Sequence, residues 1–329
     1  MCVAKGAAII VPSSMTRFPA RGLLLMRASC QIMHYPSRRE KRVWPAQRKA
    51  PSMSEDFSAW IGRSEELFDR IDAARCNALL SALGQPSGLA EGSEMPLLHH
   101  WLHFWNVQPP AGLGPDGHPA KGGFLPPVPL PRRMWAGGRL RFEKPLLIGE
   151  RVTKLSTIKS VTAKSGKSGD LVFVTVEHRL SGESGLAIVE EQDLVYKGET
   201  PPGALKTPAA EGPVPSAPWQ ASVMPDTVLL FRYSALTMNG HRIHYDLPYA
   251  MDEEAYPALV VHGPLQATLL ADLAVKSLGK PLATFDFRGQ VPAFAGTRLD
   301  VCGEPAEGGA AFWTEQSGGK NMVATVTTV

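Results

Sequence analysis

The stretch Phe231-Arg-Tyr-Ser-Ala-Leu-Thr-Met-Asn-Gly-His-Arg-Ile-His-Tyr-Asp246 is unusual, because its last eight residues carry an Asn, two His, an Arg, a Tyr and an Asp. A helix or a strand could bury only some of these side chains. Further along, the apolar, strand-like run Tyr256-Pro-Ala-Leu-Val-Val261 ends in His262-Gly-Pro264. Because proline is favoured in the first turn of a helix, this pattern predicts a polar loop, a strand and then a helix start.

Around these stretches, the apolar pattern predicts two units of similar plan. The second unit has a helix over Pro264–Leu278 and then strands at Thr284–Val291, Arg298–Cys302, Ala310–Thr314 and Met322–Val329. In the first unit, Ser64 is predicted to cap a helix that continues to Leu83. The strands predicted after it are Arg139–Glu143, Arg151–Val161, Leu171–His178 and Ala187–Tyr196. A helix followed by antiparallel strands, present twice, indicates the α+β class with two similar halves.

Composition divides the chain further. Residues 1–52 contain ten of the 34 Lys and Arg residues and one of the 31 acidic residues, so the remainder carries 24 basic and 30 acidic residues, a net charge of −6. Residues 201–218 contain six prolines, which indicates an extended linker. The predicted segments are therefore an extension over 1–52, a first domain over 53–200, the linker over 201–218 and a catalytic domain over 219–329.

The stretch from Tyr233 to Ala250 resembles the hydratase motif of the MaoC-like, R-specific enoyl-CoA hydratases. In that motif an Asp is followed two residues later by an Asn and five residues later by a His, and His262-Gly263 resembles the family's His-Gly at the start of the central helix. The chain is most similar to the subgroup of type 2 hydroxyacyl-thioester dehydratases and bacterial mesaconyl-CoA or itaconyl-CoA hydratases. Its hallmarks resemble Trp135-Ala-Gly-Gly-Arg139, Ser165-Gly-Lys-Ser-Gly169, Glu190-Glu-Gln-Asp193, Ala235-Leu-Thr-Met-Asn239 and His241-Arg-Ile-His-Tyr-Asp246.

This resemblance, over roughly residues 57 to 329, implies a double hotdog, in which two helix-wrapped antiparallel sheets are joined in one chain and the C-terminal half is catalytic. The chain departs from the wider family where the motif has its Asp and Asn, because Asn239 and His241 stand there. His244 matches the motif histidine. The usual pairing of an Asp with this histidine is therefore not expected.

The resemblance, together with the chemistry of hydration, gives each catalytic candidate a role. A neutral His suits removal of a proton from water, and His244 is the candidate base. Asn239 cannot take a proton but can hold the water by hydrogen bonds. The second proton carrier is the water itself, His241 or Asp246, and the sequence leaves these alternatives open. The N–H of Gly263 at the helix start suits the thioester oxygen, on which negative charge develops.

Three further residues are candidates for substrate binding, namely Arg242, Tyr233 and His262. Arg242 suits a substrate carboxylate or a CoA phosphate, but it could also be a solvated charge. His262 could instead brace the start of the helix. No metal or organic cofactor is implied, since the four cysteines show no metal-binding spacing.

The expected function is that of a hydro-lyase on an enoyl-CoA thioester, with mesaconyl-CoA or itaconyl-CoA giving citramalyl-CoA as the preferred reaction. The alternatives are a 3-hydroxyacyl-thioester dehydratase that uses acyl-carrier-protein substrates and a non-catalytic acyl-CoA-binding hotdog protein. We expect no nucleic-acid partner, because no basic stripe is visible in the folded part, and no membrane partner. A cytoplasmic location is expected, and a homodimer is compatible with the family.

The basic residues 1–52 lack helical periodicity and the apolar core of a secretory signal. They resemble a mitochondrial presequence in part, although a gene model that is too long, with the start at Met53, is the favoured interpretation. Deleting residues 1–52 should therefore leave turnover and melting temperature unchanged. Thermal melting and an enoyl-CoA assay on both forms check this, and a large loss of stability would show that the segment packs on the folded part.

Overall fold

The computed structural model describes residues 56–329 except 167–168, 200, 202, 204, 206–211 and 213. The extension predicted over 1–52 and much of the linker predicted over 201–218 lie outside the described residues. The described strands are β1 Ser64–Arg70, β2 Arg132–Phe142, β3 Arg151–Gly166, β4 Gly169–Gly182, β5 Gly185–Lys197, β6 Trp219–Val223, β7 Leu282–Gly289, β8 Leu299–Ala306, β9 Gly309–Gln316 and β10 Gly319–Thr328. The described helices are α1 Ala73–Ala82, α2 Thr227–Thr237, α3 Leu247–Asp252 and α4 Gly263–Leu278, with short 3-10 turns at Ser58–Trp60, His99–Leu102, Pro110–Gly112 and Arg242–His244.

All ten described strands form one antiparallel sheet, in the order β1-β3-β4-β5-β2-β7-β10-β9-β8-β6. The strands of the first half occupy one side of this order and those of the second half occupy the other. The pairing of β2 with β7, from Gly137 opposite Arg288 to Arg141 opposite Thr284, joins them. The architecture agrees with the predicted α+β double hotdog, whose two sheets share a continuous hydrogen-bonded surface.

The second half follows the predicted pattern closely. Its central helix α4 buries Leu265, Ala267, Leu270, Ala271 and Ala274 against the sheet, while Gly279 ends it in the left-handed conformation. Small and branched side chains on one face allow a helix to lie close to a curved sheet. The four predicted strands correspond to β7, β8, β9 and β10. Three elements were not predicted, namely strand β6 and helices α2 and α3. Helix α2 begins after Asp226 because that side chain accepts the Leu229 N–H at 2.8 Å.

The first half differs from the prediction at its start. Ser64 does not cap a helix, because residues 64–70 form strand β1 and pair with β3. Helix α1 begins only at Ala73, capped by Asp72, which accepts the Arg75 N–H at 2.8 Å. The apolar residues Leu67 and Ile71 are four apart, a spacing that puts side chains on one face of a helix and equally on one face of a strand. The pattern by itself therefore did not distinguish the two structures.

No helix among the described residues is long and apolar enough to cross a membrane.

Two histidines are fully buried in this fold, His99 in the first half and His262 at the start of α4. Burial, reinforced by neighbouring histidines, lowers the pKa of His99 to about 3 and that of His262 to about 3. Neither ring nitrogen of His99 has a hydrogen-bond partner among the described residues. Both rings are therefore neutral at neutral pH, and protonation would leave a charge in an apolar environment.

These buried rings predict how stability depends on pH. The unfolded chain binds a proton at each histidine below a pH of about 6.5, whereas the folded chain does not until about 3, so stability falls as the pH drops through this window. Each ring contributes a slope of about 1.4 kcal/mol per pH unit well below pH 6.5. His99→Leu should remove one such slope. Urea unfolding of both proteins between pH 7 and pH 5 measures it, and parallel curves would contradict the expectation.

Candidate active site

A cavity of about 1120 Å³ is lined by residues of both halves. Four of the predicted site residues line it, and these are Asn239, His241, His244 and Gly263. The first half contributes His118, Arg133, Lys154, His178 and Gln192. Four other predicted residues do not line the cavity, and these are Tyr233, Arg242, Asp246 and His262. The structure therefore separates the predicted set into residues that can meet a ligand and residues behind them.

The polar loop begins where helix α2 ends. Met238 adopts the left-handed conformation, with φ of 51°, and turns the chain out of the helix. The side-chain oxygen of Asn239 then accepts the backbone N–H of His241 at 3.0 Å. The side-chain NH2 group of Asn239 remains available to donate a hydrogen bond. An Asn at such a turn stabilises its own loop, and it can still donate a hydrogen bond to the oxygen of a bound water.

His244 is buried and its orientation is fixed on both sides. Its Nδ1 lies 2.7 Å from the carbonyl oxygen of Val260, which can only accept, so the ring carries its proton on Nδ1 and has its lone pair on Nε2. Burial, and next the neighbouring His262 and His241, hold its pKa well below the ordinary value. The ring is therefore neutral and has a free lone pair. A base that removes a proton from water requires such a lone pair.

His262 and Tyr233 support His244 from behind. The ring of His262 stacks on His244 with centroids 3.7 Å apart, and its Nε2 lies 2.8 Å from the hydroxyl oxygen of Ser234. Tyr233 packs against His262 at 4.9 Å and is 1 % exposed. The location of both residues fits bracing of the helix start, which the sequence left open for His262, more closely than direct contact with a substrate.

Gly263 is the first residue of α4 and faces the cavity. The first N–H groups of a helix have no partner within it, and the helix dipole favours negative charge there. A side-chain carbon at Gly263 would have only Met322 and the carbonyl of Trp135 within 4 Å, at 3.8 and 3.9 Å. The space beside this backbone is therefore open to a ligand atom such as a thioester oxygen.

His241 is held by an acid that the sequence did not single out. Its Nε2 lies 3.2 Å from Glu254, which is 4 % exposed and also accepts the hydroxyl of Tyr249 at 3.1 Å. Arg132 completes this buried group with an ion pair to Glu254 at 2.9 Å. Despite burial, these partners hold the pKa of Glu254 below its ordinary value. The only signal in the sequence was the acidic pair that precedes Tyr256, which by itself is common.

Arg242 and Asp246 pair with each other outside the cavity. The guanidinium donates to one oxygen of Asp246 at 2.9 and 2.7 Å, and it also donates to the carbonyl of Pro115 at 3.1 Å. Asp246 in turn accepts the N–H of Tyr249 at 3.2 Å as the cap of α3. With these groups occupied, Arg242 anchors a loop of the first half, and Asp246 is not placed to carry a proton to a ligand.

The turn at residues 114–118 brings in two residues that the sequence analysis missed. Asp116 and His118 lie in the long Gly- and Pro-rich segment, and Asp116 Oδ2 is 2.9 Å from His118 Nδ1. The ring of His118 lies 4.2 Å from that of His241. The local sequence Pro115-Asp-Gly117 is a turn signal, but nothing in it shows that the turn reaches the second half.

Asp116, His118 and His241 offer ligand atoms that all lie within 4.8 Å of one another, as a metal site would require. Hydrogen bonding accounts for the same convergence, because Asp116 pairs with His118 and His241 pairs with Glu254. Among the described residues, Asp116, His118 and His241 form the group whose ligand atoms lie close enough together to hold a metal ion.

Comparison with known proteins agrees with this geometry. Residues 98–295 match the family model for hydroxyacyl-thioester dehydratase type 2. The chain is 48 % identical over 242 residues to the mesaconyl-C(4)-CoA hydratase of Chloroflexus aurantiacus, covering 73 % of this chain and 86 % of that protein. It is 31 % identical over 230 residues to the mitochondrial hydroxyacyl-thioester dehydratase type 2 of Schizosaccharomyces pombe, covering 62 % and 76 %.

The fold is likewise shared with solved structures. A MaoC-like dehydratase from Phytophthora capsici superposes with a TM-score of 0.58 at 13 % identity, covering 81 % of this chain and 96 % of that one. At this identity the likeness concerns the fold, and it confirms the double hotdog. The family match over residues 98–295 and the 48 % identical relative show that the chain belongs to the hydroxyacyl-thioester dehydratase type 2 family of hydro-lyases.

Proposed function

We propose that this protein hydrates a short, branched, dicarboxylic enoyl-CoA, mesaconyl-CoA or itaconyl-CoA, to citramalyl-CoA. The observation that carries the proposal is that the neutral His244 and the N-terminus of α4 at Gly263 line one cavity. His244 suits removal of a proton from water, and the N-terminus of α4 suits stabilisation of the negative charge that develops on the thioester oxygen. The 48 % identical relative is a mesaconyl-C(4)-CoA hydratase, which supports this substrate class.

In the proposed reaction, the thioester oxygen lies near the N–H of Gly263. Nε2 of His244 removes a proton from water while the water oxygen bonds to the β-carbon. The double-bond electrons move towards the thioester oxygen, where the helix N-terminus stabilises the charge. The α-carbon then takes up a proton, and the product carries a hydroxyl group on the β-carbon. Dehydration is the same sequence in reverse.

A dicarboxylic substrate also requires a cation, because an unpaired buried carboxylate is costly. Arg242 does not line the cavity, but Arg133 and Lys154 do. Neither forms an ion pair with a carboxylate of the described residues. Burial lowers the pKa of Lys154, while the charges of Glu190 and Glu65 act in the opposite direction. We therefore expect Arg133 and Lys154, and not Arg242, to contact the distal carboxylate of the substrate.

His244→Ala should lower kcat by about 10²–10⁴-fold, the usual effect of removing a general base. The variant should keep its fold, which a thermal melt verifies. Val228→Ala is the control, because Val228 lies on α2 before the loop, is 53 % exposed and does not line the cavity. A His244→Ala protein with wild-type kcat would contradict the assignment of the base.

The dicarboxylic preference is tested with four substrates. We expect kcat/KM for mesaconyl-CoA or itaconyl-CoA to exceed that for crotonyl-CoA and octenoyl-CoA by at least ~10-fold, equivalent to about 1.4 kcal/mol. Lys154→Met and Arg133→Met, measured separately, should reduce that ratio through the dicarboxylic substrate alone. Equal loss on crotonyl-CoA would point to a role other than carboxylate binding.

The second candidate is a 3-hydroxyacyl-thioester dehydratase for acyl-carrier-protein substrates, favoured by the 31 % identical dehydratase. Octenoyl-CoA as the best of the four substrates would select it. If all four are inert, the non-catalytic acyl-CoA-binding alternative takes its place, and binding of acyl-CoA without turnover would then support that alternative.

A further inference from the structure

A turn of the first half is fixed on the polar loop of the second half. The backbone N–H of Arg242 donates to the carbonyl of Asp116 at 2.9 Å, and the Arg242 side chain holds the neighbouring Pro115 carbonyl. Gly117 has a φ of +86°, and any side-chain carbon there would lie 2.0 Å from the carbonyl oxygen of Gly240. The position of Asp116 and His118 is therefore set by contacts with the loop that carries His241 and His244.

The bond between Asp116 and His118 decides which ring nitrogen holds the proton. A carboxylate accepts, so Nδ1 of His118, 2.9 Å from Asp116, carries the hydrogen and Nε2 keeps a lone pair. His118 lines the same cavity as His244. The two rings are thus prepared alike, since His244 donates its Nδ1 hydrogen to Val260 and also keeps an Nε2 lone pair.

The charges around the turn agree with this tautomer. Hydrogen bonds from the side chain and backbone of His118, acting against burial, hold the pKa of Asp116 well below its ordinary value. Burial lowers the pKa of His118 to about 4, although its bond to Asp116 acts in the opposite direction. At neutral pH the pair is therefore a carboxylate beside a neutral imidazole, and the imidazole can accept a hydrogen bond but does not start with a proton to give.

We propose that His118, oriented by Asp116, holds the attacking water together with His244. One hydrogen of the water is transferred to Nε2 of His244 as the oxygen bonds to the β-carbon, and the imidazolium then gives this proton to the α-carbon. The other hydrogen stays on the oxygen, hydrogen-bonded to Nε2 of His118, and becomes the hydrogen of the product hydroxyl. The Asn239 amide supplies a donor to the same oxygen.

The other acids and bases near the loop are already occupied. Nε2 of His241 faces Glu254, and Asp246 is paired with Arg242 outside the cavity. His118, in contrast, lines the cavity. Its Nδ1 is hydrogen-bonded to a carboxylate, and its Nε2 keeps a free lone pair. In this arrangement Asp116 is a positioning residue, and His118 contacts the reacting water.

This inference rests on the proposed function, and Asp116→Asn tests it. The Asn amide can donate to Nδ1, which moves the His118 hydrogen to Nε2 and removes the acceptor from the cavity. We expect kcat for mesaconyl-CoA to fall by about 10-fold or more while KM stays within about twofold. Asp286→Asn, an exposed position on β7, is the matched control and should keep both constants.

A second pair of variants separates water binding from a structural role. His118→Gln keeps an oxygen that can accept a hydrogen bond, whereas His118→Phe keeps a ring of similar size without an acceptor. We expect kcat to decrease in the order wild type, His118→Gln, His118→Phe, with melting temperatures alike. Equal kcat for the two variants would overturn the proposal, because shape alone would then account for the residue.

The outcomes are distinguishable. An inactive wild-type protein on all enoyl-CoA substrates overturns the proposed function and this inference with it. An active wild type whose Asp116→Asn form keeps full kcat overturns the inference alone. Loss of activity on treatment with EDTA, with recovery on addition of Zn²⁺, would also overturn it, because Asp116, His118 and His241 would then act as metal ligands.

Discussion

The pairing of β2 with β7 is the constraint on which the rest of the structure depends. It requires two backbones and the ring of Phe287 to approach closely, and the glycines of β2 allow this. A side-chain carbon at Gly137 would lie 2.5 Å from the carbonyl oxygen of Phe287, and one at Gly138 would lie 2.8 Å from its ring. With side chains at these positions the two half-sheets could not hydrogen-bond in this register, and the cavity between the halves would lose its wall.

That joint explains why the site draws residues from both halves. It places the Trp135 carbonyl beside Gly263 at the start of α4, and it brings the turn of residues 114–118 against the polar loop. A long loop that crosses from one half to the other is tolerated because its ends are fixed by the fold. The N-terminal half thereby supplies a carboxylate–histidine pair, whereas the polar loop has Asn239 where the motif of the wider MaoC-like hydratases has an acid.

The site is also notable for how two of its histidines, His244 and His262, are kept neutral. His244 and His262 stack on each other, so that a positive charge on either ring opposes a charge on the other. Burial acts in the same direction. Nδ1 of His244 donates to the Val260 carbonyl, which leaves the lone pair of this ring on Nε2. The result is a neutral His244 whose Nε2 can accept a proton from water, as addition of water to a double bond requires.

The sequence by itself determined the α+β class, the helix over Pro264–Leu278 and most strands, because these features rest on local periodicity. The resemblance to the MaoC-like hydratases is what implied that Asn239, His244 and Gly263 share one site with His241. It did not distinguish strand from helix at Ser64–Arg70, since a four-residue apolar spacing suits both. Only the tertiary structure decided that Arg242 faces Asp246 and a loop carbonyl, and that Asp116, His118 and Glu254 stand at the site. Asp116 and His118 reach the polar loop by sheet pairing and loop docking across more than a hundred residues of chain, and local sequence does not encode contacts over that distance. Glu254 is 13 residues from His241, and the fold of the segment between them brings the two side chains together.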